Sequence, residues 1–117
     1  MFKRVLLVYI SLFCACFFTQ AQTPEIDLTQ AVIIDVRTDA EWKIAHIEDV
    51  SLIPWEDIVA ATDKLQLDKS KPIALFCRSG NRAGKAMALL NAAGYTQVVN
   101  IGSLEQAAER LDKPIIY

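Results

Sequence analysis

Histidine occurs once in the 117 residues, and cysteine only three times. Two of those cysteines, Cys14 and Cys16, sit in an apolar stretch close to the first residue, so the rest of the chain holds a single thiol, Cys77. With one cysteine, that remainder can form neither an intramolecular disulfide nor a cysteine-built metal site. An excess of positive charge is also missing: 12 Lys and Arg stand against 14 Asp and Glu, for a net charge of -2. A mildly acidic chain has no general attraction for nucleic acid or for an anionic lipid surface. No internal repeat, low-complexity segment or linker interrupts the sequence, which argues against a multidomain layout.

No apolar run reaches the roughly 18 to 20 residues that a membrane-spanning helix needs. Val5 to Phe18 is the nearest approach, and its flanks give it another reading. Met1-Phe2-Lys3-Arg4 is a short basic head, and Thr19-Gln20-Ala21 ends in small residues. That arrangement predicts a signal peptide over 1–21, cut after Ala21. The expected product is an exported, periplasmic protein of residues 22–117, monomeric and free of the membrane after cleavage. A lipid anchor at Cys16 and an uncleaved anchor stay open as alternatives. Cleavage would also remove Lys3 and Arg4, leaving ten basic against 14 acidic residues, net -4. Any positive charge that serves an anionic ligand must then be local. The remaining 96 or so residues suffice for one core and not for two.

Apolar periodicity gives an alternating order of strands and helices. Ala31 to Val36, rich in Val and Ile, has the continuous apolar character of a strand buried on both faces. Before it, Thr23 to Gln30 is expected to be extended, with a short edge strand around Ile26. Thr38-Asp39-Ala40-Glu41 has the spacing of a capping box and should start a helix. Val50 to Ile53 predicts a second strand. Pro54 suits the first turn of the next helix, with Trp55, Ile58 and Val59 on its apolar side. Asp63 to Lys71 is a polar connection in which Leu65 and Leu67 should tuck inward. Ile73 to Cys77 is a third apolar strand, followed by a helical pattern that ends at Ala93-Gly94, where Gly94 can take a left-handed cap. Gln97 to Asn100 predicts a last short strand, Ser103 caps a helix over Leu104 to Leu111, and Pro114 to Tyr117 is a tail. Such alternation predicts an α/β domain with a mostly parallel central sheet and helices on both faces.

The chemistry concentrates in Cys77-Arg78-Ser79-Gly80-Asn81-Arg82, between the third strand and its helix. A thiol at such a turn faces loop N–H groups and the positive end of a helix dipole. Arg78 and Arg82 add two full charges. These surroundings favour the thiolate and form a pocket for an anion beside it. The competing reading is a small apolar cysteine that closes a buried strand. Two arginines and a glycine within five residues are more than a strand end requires, so Cys77 is read as a nucleophile acting on a small anionic substrate.

Together with other segments, this loop resembles the single-domain rhodaneses (thiosulfate sulfurtransferases), most of all the small exported ones of the bacterial phage-shock type. The matching residues are Ile34-Asp35-Val36-Arg37, Glu41-Trp42, Ala45-His46-Ile47, Leu52-Ile53-Pro54, the Cys77 to Ala83 loop, Ala93-Gly94-Tyr95 and Val98 to Ser103. The related phosphatases place arginine six positions after the cysteine, whereas here that position is Ala83 and the arginine comes one residue early. The resemblance therefore implies sulfur transfer rather than phosphate hydrolysis. Two loop arginines suit a dianion such as thiosulfate better than mercaptopyruvate.

By this resemblance, Cys77 takes the sulfane sulfur of thiosulfate, or of a related persulfide, and passes it to cyanide or a thiol. Arg78 and Arg82 would hold the sulfonate, and the backbone amides of Ser79, Gly80 and Asn81 would cradle the sulfur. No metal or organic cofactor is implied. Asp35, Arg37 and Glu41 are expected to form a structural ion-pair cluster at the first strand-helix corner. His46 is expected to be a hydrogen-bonded loop residue and not a general base, Trp42 and Trp55 packing residues, and Lys85 part of a solvated face. One segment departs from the family: Ala45-His46-Ile47-Glu48-Asp49-Val50 stands where a Pro-Gly turn is usual. The short chain after Ser103 predicts an open pocket. Two alternatives keep the same loop with other work. One is a persulfide carrier that docks a partner with little turnover of thiosulfate. The other is an exported thiol-redox protein, against which stands the lack of a resolving cysteine.

Overall fold

The computed structural model describes residues 25–117, so the expected signal peptide lies outside the described residues. Four strands form a parallel sheet: β1 (Val32–Asp35), β3 (Ser51–Leu52), β4 (Ile73–Cys77) and β5 (Val98–Ser103), in the spatial order β3-β1-β4-β5. Helices α1 (Asp39–Ile44), α2 (Ile58–Lys64), α3 (Asn81–Ala92) and α4 (Leu104–Leu111) complete the α/β layers, with a 3₁₀ turn over Trp55–Asp57. No helix among the described residues is long and apolar enough to cross a membrane.

The central strand shows how the layers are assembled. All five residues of β4 are buried, because helices cover both faces of the sheet. Ile73, Leu75 and Cys77 pack on one side against Ile58 of α2 and Ala83, Ala86 and Leu90 of α3. Ala74 and Phe76 face the other side, against Leu104, Ala107 and Ala108 of α4. The alternation is the period-two geometry of a strand expressed as two half-cores. Small residues on α3 and α4 let both helices approach the sheet closely.

Both predicted capping boxes are present. Thr38 Oγ1 accepts from the N–H of Glu41, whose carboxylate accepts from the N–H of Thr38; Ser103 and Gln106 do the same for α4. Gly94 ends α3 at φ +97, while its own N–H and that of Tyr95 donate to Asn91 and Leu90 carbonyls. This is the double bond pattern of a Schellman cap.

Several expectations yield to tertiary packing. No strand forms around Ile26; Asp27 instead accepts from the N–H and hydroxyl of Thr29 and closes a turn. Pro54 precedes the 3₁₀ turn as its N-cap and does not lie within α2. Val59 is exposed, and the core-facing partner of Ile58 is Thr62, whose hydroxyl donates back to the Ile58 carbonyl at 2.8 Å. That bond satisfies a hydroxyl that is otherwise buried among apolar side chains. Leu65 is exposed, while Leu67 packs partly against the core. The last strand runs on to Ser103, beyond the predicted Asn100. The supposed tail pairs: β6 (Ile115–Ile116) lies antiparallel to β2 (His46–Ile47), so His46 sits on a strand and not in a loop. In the segment that departs from the usual Pro-Gly turn, Asp49 takes the left-handed conformation at φ 58, which aspartate tolerates.

Strand order locates a crevice. From β1 the chain moves to one side (β3), then crosses to the other (β4, β5), so the order reverses between β1 and β4. Ligands of open parallel sheets bind outside the carboxyl ends of the strands at such a reversal. The two loops there are Val36 to Thr38 and Arg78 to Gly80.

Two substitutions measure this packing by urea unfolding. Phe76→Ala should cost about 3–5 kcal/mol by opening a cavity under α4. Gly94→Ala should cost only about 1 kcal/mol, because a Cβ there meets nothing within 4 Å and the cost is left-handed backbone alone.

Candidate active site

Each of the two corner loops is braced before it meets the other. After β1, Asp35 and Arg37 form a buried ion pair, Nη2 to Oδ2 at 2.8 Å, with Nε within 3.0 Å of both carboxylate oxygens. The Arg37 backbone N–H donates to the same carboxylate, and its Nη2 also donates to the Ala45 carbonyl at 2.7 Å. The pair thereby locks the corner to the far end of α1. Buried pairs of this kind set geometry more than they add stability, but removing one partner leaves a charge stranded.

After β4, Gly80 turns the chain at φ +87 into α3. Its N–H donates to Cys77 Sγ at 2.9 Å, and its carbonyl accepts from Asn100 Nδ2 at 2.9 Å. Asn100 Oδ1 accepts in turn from the Gly102 N–H at 2.9 Å, so one carboxamide ties the loop to β5. Of the three loop amides expected to cradle the sulfur, that of Gly80 is the one bonded to it. Cys77 itself is fully buried. Arg78 and Ser79 are exposed, and Asn81 is the exposed first residue of α3.

The largest departure concerns Glu41 and Arg82. Glu41 does not join Asp35 and Arg37 in one cluster. Its carboxylate takes Arg82 in a two-pronged pair, Nη1 to Oε1 at 2.5 Å and Nη2 to Oε2 at 2.9 Å. The Arg82 hydrogen bonds hold the Glu41 carboxyl at about 2, below its usual 4.5; partial burial opposes this, and Thr38 assists. Arg82 is shifted upward, by Glu41 first, and the charges of Cys77 and Asp35 add to the effect. Fork-to-fork geometry of this type orients both side chains. One loop arginine is therefore already neutralised, and Arg78 is the loop cation with no ion pair among the described residues.

The remaining candidates fall outside the loop. His46 Nδ1 lies 3.1 Å from the Trp42 carbonyl and its ring stacks on Trp42, 4.3 Å between centroids. Trp42 and Trp55 each pack partly against one half-core, and the exposed Lys85 lies over the Trp55 ring at 5.3 Å. Among the described residues no group of three or more His, Cys, Asp or Glu could hold a metal. A cavity of about 340 Å³ adjoins the loop, lined by Arg37, Glu41, Ile44, Arg78, Leu104 and Glu105 among others. Sequence reasoning passed over Asn100 and Glu105. A lone carboxamide inside the apolar run Val98-Val99-Asn100-Ile101 was the available signal for the first; Glu105 carried none beyond its place in a helix's first turn.

Residues 20–109 match the family of Rhodanese-like domains. The chain is 29% identical over 75 residues to thiosulfate sulfurtransferase PspE of Escherichia coli, covering 64% of this chain and 72% of that protein. It is 32% identical over 90 residues to the tRNA uridine(34) hydroxylase of Erwinia tasmaniensis, covering 73% of this chain and 26% of that one. The chain thus spans about a quarter or less of the longer curated relatives it matches. Among solved structures, a rhodanese with anions from E. coli superposes with a TM-score of 0.64 at 27% identity, covering 72% of this chain and 94% of that one.

Acid tolerance tests the Glu41–Arg82 pair. A carboxyl held low in the folded state stabilises above its unfolded value of 4.5, and the benefit fades as pH falls toward about 2. Glu41→Gln keeps the cap to Thr38 and removes the charge. It should cost on the order of 1–2 kcal/mol in urea at pH 7, a discounted figure for a partly exposed pair. That gap should narrow steadily as pH drops through the window; a constant gap would show that the charge is not what stabilises.

Proposed function

The chain belongs to the family of Rhodanese-like domains, and on that premise we propose that it is a sulfurtransferase in which Cys77 carries sulfur as a persulfide. The observation that supports this most directly is the bond from the Gly80 N–H to Cys77 Sγ, at the carboxyl end of β4 and before the N-terminus of α3. A donor N–H and a helix dipole stabilise a thiolate, and the same groups stabilise the charge of a persulfide.

Thiosulfate is the donor that fits. Its outer sulfur is attacked by the Cys77 thiolate, the S–S bond of thiosulfate breaks, and sulfite departs with the electron pair. Arg78 meets the sulfonate, because it is exposed and carries no ion pair among the described residues. Arg82 acts through position: paired with Glu41, it holds the loop against the first corner. The persulfide then gives its outer sulfur to cyanide or to a thiol. Burial of Cys77 limits what can reach Sγ and protects the persulfide from adventitious thiols. Export through a leader cleaved after Ala21 belongs to the same reading: a lone thiol in an oxidising compartment is a liability unless it is used, and here it carries the sulfur.

Intact mass before and after incubation with thiosulfate tests the proposal. The expected result is a gain of one sulfur atom, lost on adding cyanide as thiocyanate forms, and absent in Cys77→Ser. A persulfide that forms but turns over poorly would favour the carrier reading. No gain on demonstrably reduced Cys77 would remove thiosulfate as the donor.

A further inference from the structure

Resting on the sulfurtransferase reading, we propose that the cavity beside the loop seats a zwitterionic aminothiol as sulfur acceptor, with Arg78 and Glu105 as its two charge partners. Four charged residues line this cavity, and two are already answered. Arg37 is paired with Asp35 at 2.8 Å, and Glu41 with Arg82 at 2.5 Å. Arg78 and Glu105 carry no ion pair among the described residues. The uncompensated charge is thus one cation and one anion, and Ile44 and Leu104 supply apolar wall. A thiol with a carboxylate alone would answer Arg78 and leave Glu105 without a partner. A short thiol bearing both a carboxylate and an ammonium would meet Arg78 with one and Glu105 with the other.

Strand register explains why these two side chains share the cavity. Cys77 pairs with Ser103 across the parallel β4–β5 ladder. The residues that follow each, Arg78 after β4 and Leu104-Glu105 at the start of α4 after β5, therefore emerge at the same end of the sheet. A volume of about 340 Å³ lies at the small end of ligand-binding cavities and suits a low-molecular-weight acceptor. Glu105 also lies in the first turn of α4, where the helix dipole favours an acid. That role alone would leave acceptor affinity untouched, so kinetics separate the two.

In the transfer step, the acceptor thiolate attacks the outer sulfur of the Cys77 persulfide, one S–S bond of about 2 Å beyond Sγ. The bond between Sγ and the outer sulfur breaks, its electron pair returns to Cys77 as thiolate, and a new S–S bond joins the outer sulfur to the acceptor. The charge or proton on the outer sulfur travels with it, so no oxidant or reductant is required.

The test loads the protein with thiosulfate, or with inorganic polysulfide, and confirms the persulfide by intact mass. Discharge is then followed with free cysteine, with mercaptopropionate (carboxylate only) and with cysteamine (ammonium only), compared at equal thiolate concentration. Half-saturation by cysteine should come at about tenfold lower concentration than by either single-charge thiol, as one lost charged hydrogen bond requires. Glu105→Gln should raise the cysteine value to that of mercaptopropionate, while Glu105→Asp keeps most of the preference. Equal half-saturation by all three thiols in the unaltered protein overturns the proposal, as does a preference that survives in Glu105→Gln. Failure to form any persulfide is a different result: it removes the sulfurtransferase reading, and the acceptor site with it.

Discussion

The Glu41–Arg82 ion pair joins two parts of the chain 41 residues apart, and the rest of the candidate site depends on that junction. Glu41 belongs to the corner after β1, Arg82 to the first turn after the Cys77 loop. Backbone bonding between the two runs only as far as the Val36 N–H to the Phe76 carbonyl, after which each leaves the sheet into its own helix. A two-pronged arginine-carboxylate contact supplies what the backbone lacks: direction as well as attraction. Thr38 adds to it, since the carboxylate that holds Arg82 also caps α1. One side chain therefore starts a helix and anchors a loop on another element.

Two further clamps complete the frame. Asp35 and Arg37 close the first corner onto the Ala45 carbonyl, and Asn100 closes the second loop onto β5 through Gly80 and Gly102. Every buried side-chain polar atom among the described residues has a partner, so the frame carries no unsatisfied group. Such networks are stiff when complete and costly when broken. Stiffness matters here because the Gly80 N–H must stay within reach of Cys77 Sγ for its dipole to count.

Charge is distributed differently from what two loop arginines imply when read in isolation. Pairing with Glu41 spends Arg82 on position, which leaves Arg78 as the free cation facing the cavity. Glu105 then sets the balance of that cavity near neutrality. In the proposed reading Arg78 serves the donor sulfonate and then the acceptor carboxylate, and Glu105 answers the acceptor ammonium alone; the two lie past the carboxyl ends of β4 and β5.

The layered α/β order, both capping boxes, the left-handed end of α3 at Gly94 and the loop from Cys77 to Arg82 were legible in the sequence. Each depends on residues within a few positions of one another, where spacing alone dictates geometry. Asp35 with Arg37 is of the same local kind. What only the tertiary structure decided involves partners distant in the chain: Glu41 taking Arg82 in place of the neighbouring Arg37, Asn100 bracing Gly80, the tail at Ile115–Ile116 pairing with His46–Ile47, and the burial of Cys77. Pattern along a chain carries no information on which of several suitable charges will meet. That is settled by strand order and register, which bring the ends of β1, β4 and β5 side by side.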